Sequence, residues 1–338
     1  MTGPLSLLKD LYALDGYGCA PVPGHPGGRN KVFICSLNGE KRYVLRVSAL
    51  GDRTGEDYLA ETEFVRYLAR NGAPVADVIP SVNGRLVERL EEDGAETHVS
   101  LFEYAKGMLL SDNGYRYREG APLEELFYNT GKALGAIHRL SKKYVPLHLR
   151  PQYFDKYDMG VIGPLIPDLY ADLKAAIARR LETFRSLPTD GENYGLVHFD
   201  FSDGNYHVDM ATGKITAFDL DNCIYCWYMF DLAHLWTHGV GWSLRERDPE
   251  ARMAVMEHYF DTVLAGYRSE TDVDDKLLQK LPLFIDMVLI ENVVDEFECA
   301  AREGALPDEE DIGPAACCLV HDIPYAGAGR DGYFGGNL

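Results

Sequence analysis

Two apolar-rich runs stand side by side near the start of the chain. Lys31–Leu37 and Lys41–Val47 are separated by Asn38-Gly39, whose residues readily take the positive φ of a type I′ turn, so the pattern predicts a β-hairpin. A helix follows over roughly Glu56 to Asn71, with Leu59, Phe64 and Leu68 near one face and Gly72 and Pro74 as the stop. Asn83-Gly84 marks another tight turn, and Thr97–Tyr104 reads as a strand. From about Leu123 the period changes: Leu123, Leu126, Phe127, Leu134 and Ile137 recur at helical spacing. Helix then dominates to the end, broken by short strands around residues 195–219. The expected fold class is α+β in two lobes. A β-rich N-lobe covers 1–105, a larger helical C-lobe covers 106–338, and the linker falls near 103–108.

Composition narrows the setting. With 338 residues, 46% hydrophobic and 25% charged, the chain can bury a large core. No apolar run reaches the length of a membrane span. The first residues, MTGPLSLLKDLYALDG, are amphipathic and too polar for a signal peptide. The 7 cysteines show no framework spacing, which points to a reducing cytoplasm. Cys223-Ile-Tyr-Cys226 lacks two further zinc ligands at suitable positions and reads as packing cysteines. The net charge of −20 disfavours nucleic acid and anionic membrane as partners. It favours cations, including Mg²⁺ and polyamine-like substrates, and it also serves solubility.

The candidate chemistry lies in His198-Phe-Asp200-Phe-Ser-Asp-Gly-Asn205 and the later Ile215-Thr-Ala-Phe-Asp219. Phosphoryl transfer needs in-line positioning, metal neutralisation of phosphate oxygens and a group that orients the attacking hydroxyl. Asp200, placed by the short strand 195–199, suits the last task as catalytic base. Asn205 supplies an amide oxygen and Asp219 an anionic one, the hard donors that magnesium prefers. A hairpin over 206–218 would fold Asp219 back beside Asn205. Asp221, two residues on, is placed to tune the metal or touch substrate.

The motif resembles that of the aminoglycoside phosphotransferase, choline kinase and type II homoserine kinase superfamily, which has the protein-kinase-like fold. The resemblance extends over most of the chain, through Gly27-Gly-Arg-Asn30, Tyr43-Val-Leu-Arg46, Glu61, Leu134-Gly-Ala-Ile-His138 and Asp231-Leu-Ala233. Gly266-Tyr-Arg-Ser269, Leu281-Pro-Leu-Phe284 and His321-Asp-Ile-Pro-Tyr325 are most similar to a broad bacterial phosphotransferase subfamily of uncharacterised members. The resemblance implies ATP and Mg²⁺ as cofactors, with Asp200 as base and Asn205 and Asp219 as metal ligands. It also implies that His198 packs in the catalytic loop and that Asp231 braces the loop backbone.

On the nucleotide side, Val44 and Arg46 alternate onto one strand face. Val44 would pack on adenine and Arg46 would reach the phosphates, where arginine binds oxygens bidentately. Glu61 fits the family spacing as its acidic partner. Gly27 and Gly28 occupy the place of a phosphate-covering loop, although the segment departs from G-x-G-x-x-G. Glu103, Tyr104 and Ala105 would offer backbone groups to adenine. The expected activity is ATP- and Mg²⁺-dependent phosphorylation of a hydroxyl on a small polar or cationic acceptor, such as an aminoglycoside-like compound, an amino alcohol or a related metabolite. The alternatives are a kinase acting on protein, disfavoured because no Ala-Pro-Glu-type ending follows Asp219, and a catalytically silent nucleotide-binding scaffold.

Overall fold

The computed structural model describes residues 3–23, 30–48, 51, 53–92, 95–243, 246–323 and 325. Gly27 and Gly28 lie outside them. Contacts divide the chain into two compact units, each built from separate stretches.

The first unit comprises Met1–Arg116, Lys143–Arg150 and Asn205–Asp221. After helix α1 (Gly3–Leu11) come strands β1 (Gly18–Pro21), β2 (Asn30–Leu37) and β3 (Glu40–Ser48). Asn38 and Gly39 join β2 to β3 with φ of 53° and 83°, the double positive value of a type I′ turn. Helix α2 (Gly55–Arg70) begins in a capping box, in which the Thr54 side chain accepts from Asp57 N–H and Asp57 accepts from Thr54 N–H. Strands β4 (Val78–Ile79), β5 (Glu88–Glu92) and β6 (Ala95–Glu103) complete a sheet of order β1-β2-β3-β6-β4, with β5 also paired to β6. One sheet face, with Cys35, Leu45, Val99 and Leu101, packs on Leu8, Tyr12 and Leu14 in one apolar cluster. In stretch 143–150, Tyr144 packs its ring, tilted, against Phe64 and Tyr67 of α2, with centroids 5.1 and 4.8 Å apart.

The second unit comprises Tyr117–Lys142, Pro151–Gly204 and Asn222–Leu338. Its helices α3 (Leu123–Ser141), α4 (Tyr153–Lys156), α5 (Met159–Ile162) and α6 (Ala171–Phe184) precede strand β7 (Tyr194–Val197). Two short strands of the first unit follow, β8 (Tyr206–Val208) and β9 (Ile215–Ala217). The chain then returns with β10 (Ile224–Trp227), antiparallel to β7, and helices α7 (Tyr228–Ser243), α8 (Pro249–Arg268), α9 (Asp275–Leu278), α10 (Leu281–Arg302) and α11 (Glu309–His321). Cys223 and Cys226, the CxxC pair, are buried and not in a disulfide, and Cys226 lies on β10. Arg180 of α6 ties the helices together through Asp286 of α10 and Asp322 beyond α11, both at 2.7 Å.

The β8–β9 hairpin is stitched into the first unit at both edges. Met108 and Val208 exchange backbone hydrogen bonds of 3.1 and 2.8 Å, and Ala217 bonds Pro74 and Ala76 at 2.7 and 2.9 Å. The first of these contacts requires Gly107: its φ is 106°, and a Cβ there would meet Val208 O at 2.3 Å.

Candidate active site

Within the first unit the phosphate-facing residues converge. Arg46 on β3 and Glu61 on α2 form a buried bidentate pair, with N···O distances of 2.7 and 2.6 Å. Phe102, opposite Val44 in the β3–β6 register, places its ring 4.9 Å below the guanidinium. Burial alone would lower the Arg46 pKa. The Glu61 carboxylate, with Asp221 and Asp219 nearby, more than reverses this and raises it above its ordinary value. Nη1, besides bonding Glu61 Oε1, stands 3.7 Å from Asp219, whose carboxylate is 48% exposed. Arg46 therefore faces two carboxylates, one buried and one open to solvent.

Asp219 follows β9 with a φ of 61°, a conformation that non-glycine residues rarely adopt. The ladder sets its position: Phe218 N–H donates to Asn205 C=O at 2.9 Å, so the residue before Asp219 pairs with Asn205 itself. The chain separation of Asn205 and Asp219 is thus closed by three rungs of β-pairing and this bond. An amide and a partly exposed carboxylate, both hard oxygen donors, suit a magnesium ion whose remaining positions are filled by phosphate and water.

Asp221 is buried in a polar cluster. Its Oδ2 accepts from Asn30 Nδ2 at 3.0 Å and pairs with Arg53 Nη1 at 3.1 Å. Asn30 in turn accepts from Ser48 Oγ at 2.5 Å. Arg150 donates to the backbone carbonyls of Asp221 and Asp57 at 2.8 and 3.0 Å. Asp221 thus links the turn after Asp219 to the ends of β2 and β3.

At the linker, Glu103 N–H donates to Asp77 O and Tyr104 N–H to Arg42 O, at 2.8 and 2.9 Å. Ala105 C=O accepts from His207 Nδ1 at 2.7 Å. Val44 is half-buried on the face it shares with Arg46.

Asp200 belongs to the second unit and is half-buried in the loop after β7. The preceding Phe199 has φ 71°, strain that must be held from outside. Asp231 in the first turn of α7 does this: its two oxygens accept from His198 N–H at 2.8 Å and Phe199 N–H at 2.9 Å. Asp231 Oδ2 also bonds His138 Nε2 at 3.0 Å, and His138 Nδ1 lies 3.0 Å from Tyr267 Oη. All of this is buried. Burial would raise the Asp231 pKa, but the His138 bond and the loop amide lower it below the ordinary carboxylate value. Burial lowers the His138 pKa despite Asp231. The group is therefore a neutral imidazole donating from Nε2 to an ionised carboxylate and accepting the Tyr267 hydroxyl at Nδ1. The His198 ring is fully buried and packs edge-on against Phe201, with centroids 5.4 Å apart.

Among the residues named from sequence, Arg46, Glu61, Asn205, Asp219 and Asp221 come together in one unit. Asp200, His198 and Asp231 come together in the other. Phe102, Asn30, Arg53, Arg150, His138 and Tyr267 were not assigned these contacts, and nothing local to them in sequence signals a partner so distant along the chain.

A two-lobe fold of this kind, with a buried Arg–Glu pair and a braced aspartate loop, defines a kinase-like phosphotransferase. The profile of the phosphotransferase enzyme family matches residues 22–270, and the chain belongs to that family. It is similar to the amicoumacin kinase of Bacillus subtilis (strain 168), with 28% identity over 282 residues, covering 82% of this chain and 80% of that protein. Among solved structures, an amicoumacin kinase in complex with AMP-PNP, Ca²⁺ and Ami superposes with TM-score 0.78 at 22% identity, covering 95% of this chain and 93% of that one. A microcompartment-associated aminopropanol kinase gives TM-score 0.66 at 17% identity, covering 95% and 99%. The fold is the protein-kinase-like one. Among the described residues no helix is long and apolar enough to cross a membrane.

Proposed function

We propose that this chain transfers the γ-phosphoryl group of ATP to a hydroxyl of a small polar or cationic molecule. The observation that carries this reading is the buried Arg46–Glu61 pair, whose Nη1, shared with Glu61, stands 3.7 Å from Asp219. It sets a permanently charged phosphate ligand beside a metal-type carboxylate.

Arg46 binds the non-transferred phosphates, oriented by Glu61 and supported on Phe102. Asn205 and Asp219 would hold magnesium, which when bound neutralises phosphate oxygens. Asp221 holds the turn carrying Asp219 in register with Asn30 and Arg53. Glu103, Tyr104 and Ala105 line the adenine edge, and Val44 packs on its face. Asp200 accepts the proton of the acceptor hydroxyl, while Asp231 and His198 keep its loop in the strained conformation that aims it. The names of the similar proteins suggest the first acceptors to try, amicoumacin and aminopropanol; aminoglycosides, choline and homoserine follow from the resemblance of the sequence motifs.

The test is phosphorylation of this set with ATP and Mg²⁺, followed by Asp200→Asn on the best acceptor. The variant should keep ATP affinity within a few-fold and lose roughly 10³-fold or more in kcat. Unchanged turnover would remove Asp200 from the role of base.

A further inference from the structure

We propose that Cys19 and Cys35 form an oxidation site, closing to a disulfide across β1 and β2. The two residues face each other directly in the antiparallel register. Both thiols are free, Cys19 partly exposed and Cys35 fully buried. They share the face that packs on α1. No residue assigned to phosphoryl transfer takes part.

The hydrogen-bond phase of the ladder favours closure. Val22 N–H donates to Val32 O at 2.8 Å, which marks 22/32 as a hydrogen-bonded pair. Such pairs alternate with non-hydrogen-bonded ones, so 21/33 and 19/35 are of the second kind. Pro21, which has no N–H to donate, sits at one of these positions, as the phase requires. Cα atoms of non-hydrogen-bonded pairs lie about 4.5 Å apart with their side chains close, inside the window of roughly 4.4–6.8 Å that disulfides span.

The chemistry is thiol–disulfide exchange with a small disulfide oxidant. The more accessible Cys19, as thiolate, attacks one sulfur of the oxidant, forms a mixed disulfide and expels one thiolate. Cys35 loses its proton to solvent and attacks the Cys19 sulfur, expelling the second thiolate. Two protein thiols are oxidised and one small disulfide is reduced to two thiols. Burial, reinforced by the neighbouring thiol, raises the Cys35 pKa well above its ordinary value. Cys35 therefore acts second, once the mixed disulfide holds its target sulfur beside it. The bond would close a loop over residues 20–34 and limit the freedom of the unfolded chain.

The experiment exposes the full chain to oxidised glutathione, then alkylates, digests and weighs the peptides. The expected product has lost two hydrogens and carries one cross-link, Cys19 to Cys35, with the thermal midpoint raised by several degrees. Cys19→Ser should abolish both changes. Cys35→Ser should leave glutathione attached to Cys19 with no rise in midpoint. A glutathione adduct that persists on wild-type Cys19 while Cys35 stays alkylatable would overturn the proposal. So would no modification of either thiol under oxidant that modifies Cys299 or Cys317. Cys19 is partly exposed and serine nearly isosteric, so this variant keeps the test decisive even if Cys35→Ser does not fold.

Discussion

Two residues of the candidate site are held in left-handed backbone conformations, Phe199 at φ 71° and Asp219 at φ 61°. Such strain costs about 1–3 kcal/mol each and persists only where the surroundings enforce it. For Phe199 the enforcement is visible: Asp231 collects two loop amides and the His138 proton on one carboxylate. Asp231→Asn preserves the size but turns one acceptor oxygen into a donor, which then faces a donor. At least one buried N–H is left without its partner, at about 1–3 kcal/mol. The expected result is a stability loss of that order in urea denaturation and a fall in kcat larger than any change in KM for ATP. Equal stability with normal kcat would show that the loop holds itself. The approach of Asp219 to Asn205 was legible in the sequence because their spacing is short and the intervening hairpin announces itself. The supports were not. Asn30 meets Asp221 across 191 positions of chain and His138 meets Tyr267 across 129, and no local pattern encodes such encounters.

Helices α3 and α8 cross where backbone meets backbone. A Cβ on Gly131 would stand 1.8 Å from Val263 O, and one on Gly266 would stand 1.9 Å from Tyr128 O. Neither obstacle is a side chain that can swing aside, so Gly131→Ala must push the helices apart. Since α3 carries His138, the displacement reaches the Asp231 brace. A destabilisation of about 3 kcal/mol is expected by chemical denaturation, at the upper end of ordinary overpacking costs. Gly241 on α7 is the control, because nothing lies within 4 Å of an added Cβ there. Gly241→Ala should stabilise by roughly 0.5–1 kcal/mol through helix propensity alone. If the two substitutions shift the midpoint alike, the crossing is not set by contact. At this scale the apolar spacing of α3 and the Asn38-Gly39 hairpin were readable, because periodicity and turn chemistry are local. Strand β10 was not. Ile224–Trp227 becomes a strand by pairing with Tyr194–Val197, and it runs straight into helix α7 at Tyr228 with no turn signature between them.

The whole molecule carries a net charge of −20, which alone would make mild acidification stabilising by relieving repulsion. Buried histidines oppose this. Burial lowers the pKa of His138, His207, His234 and His238, with His234 falling to about 3. The unfolded chain takes up these protons below about pH 6.5 while the folded chain refuses them, so stability falls as pH falls. Each such group contributes up to about 1.4 kcal/mol per pH unit between its unfolded and folded pKa values, and for His234 that window runs from 6.5 to about 3. His148, raised by its bond to Glu63, is different: its contribution is complete below pH 6.5 and is lost only as pH rises through its folded value. It adds no slope on the acid side. Repulsion among exposed carboxylates is screened beyond about 8 Å at physiological salt, whereas the exclusion of protons from buried imidazoles is not. The histidines therefore win. Urea denaturation at 0.15 M salt should give a free energy that drops by at least about 1 kcal/mol between pH 6.5 and 5.5, with a slope no shallower at 0.5 M salt. His234→Gln should reduce that slope by one proton's worth. A profile that is flat or rises on acidification would mean that surface charge, which the sequence displays openly, governs stability more than the burial of these imidazoles, which only the fold determines.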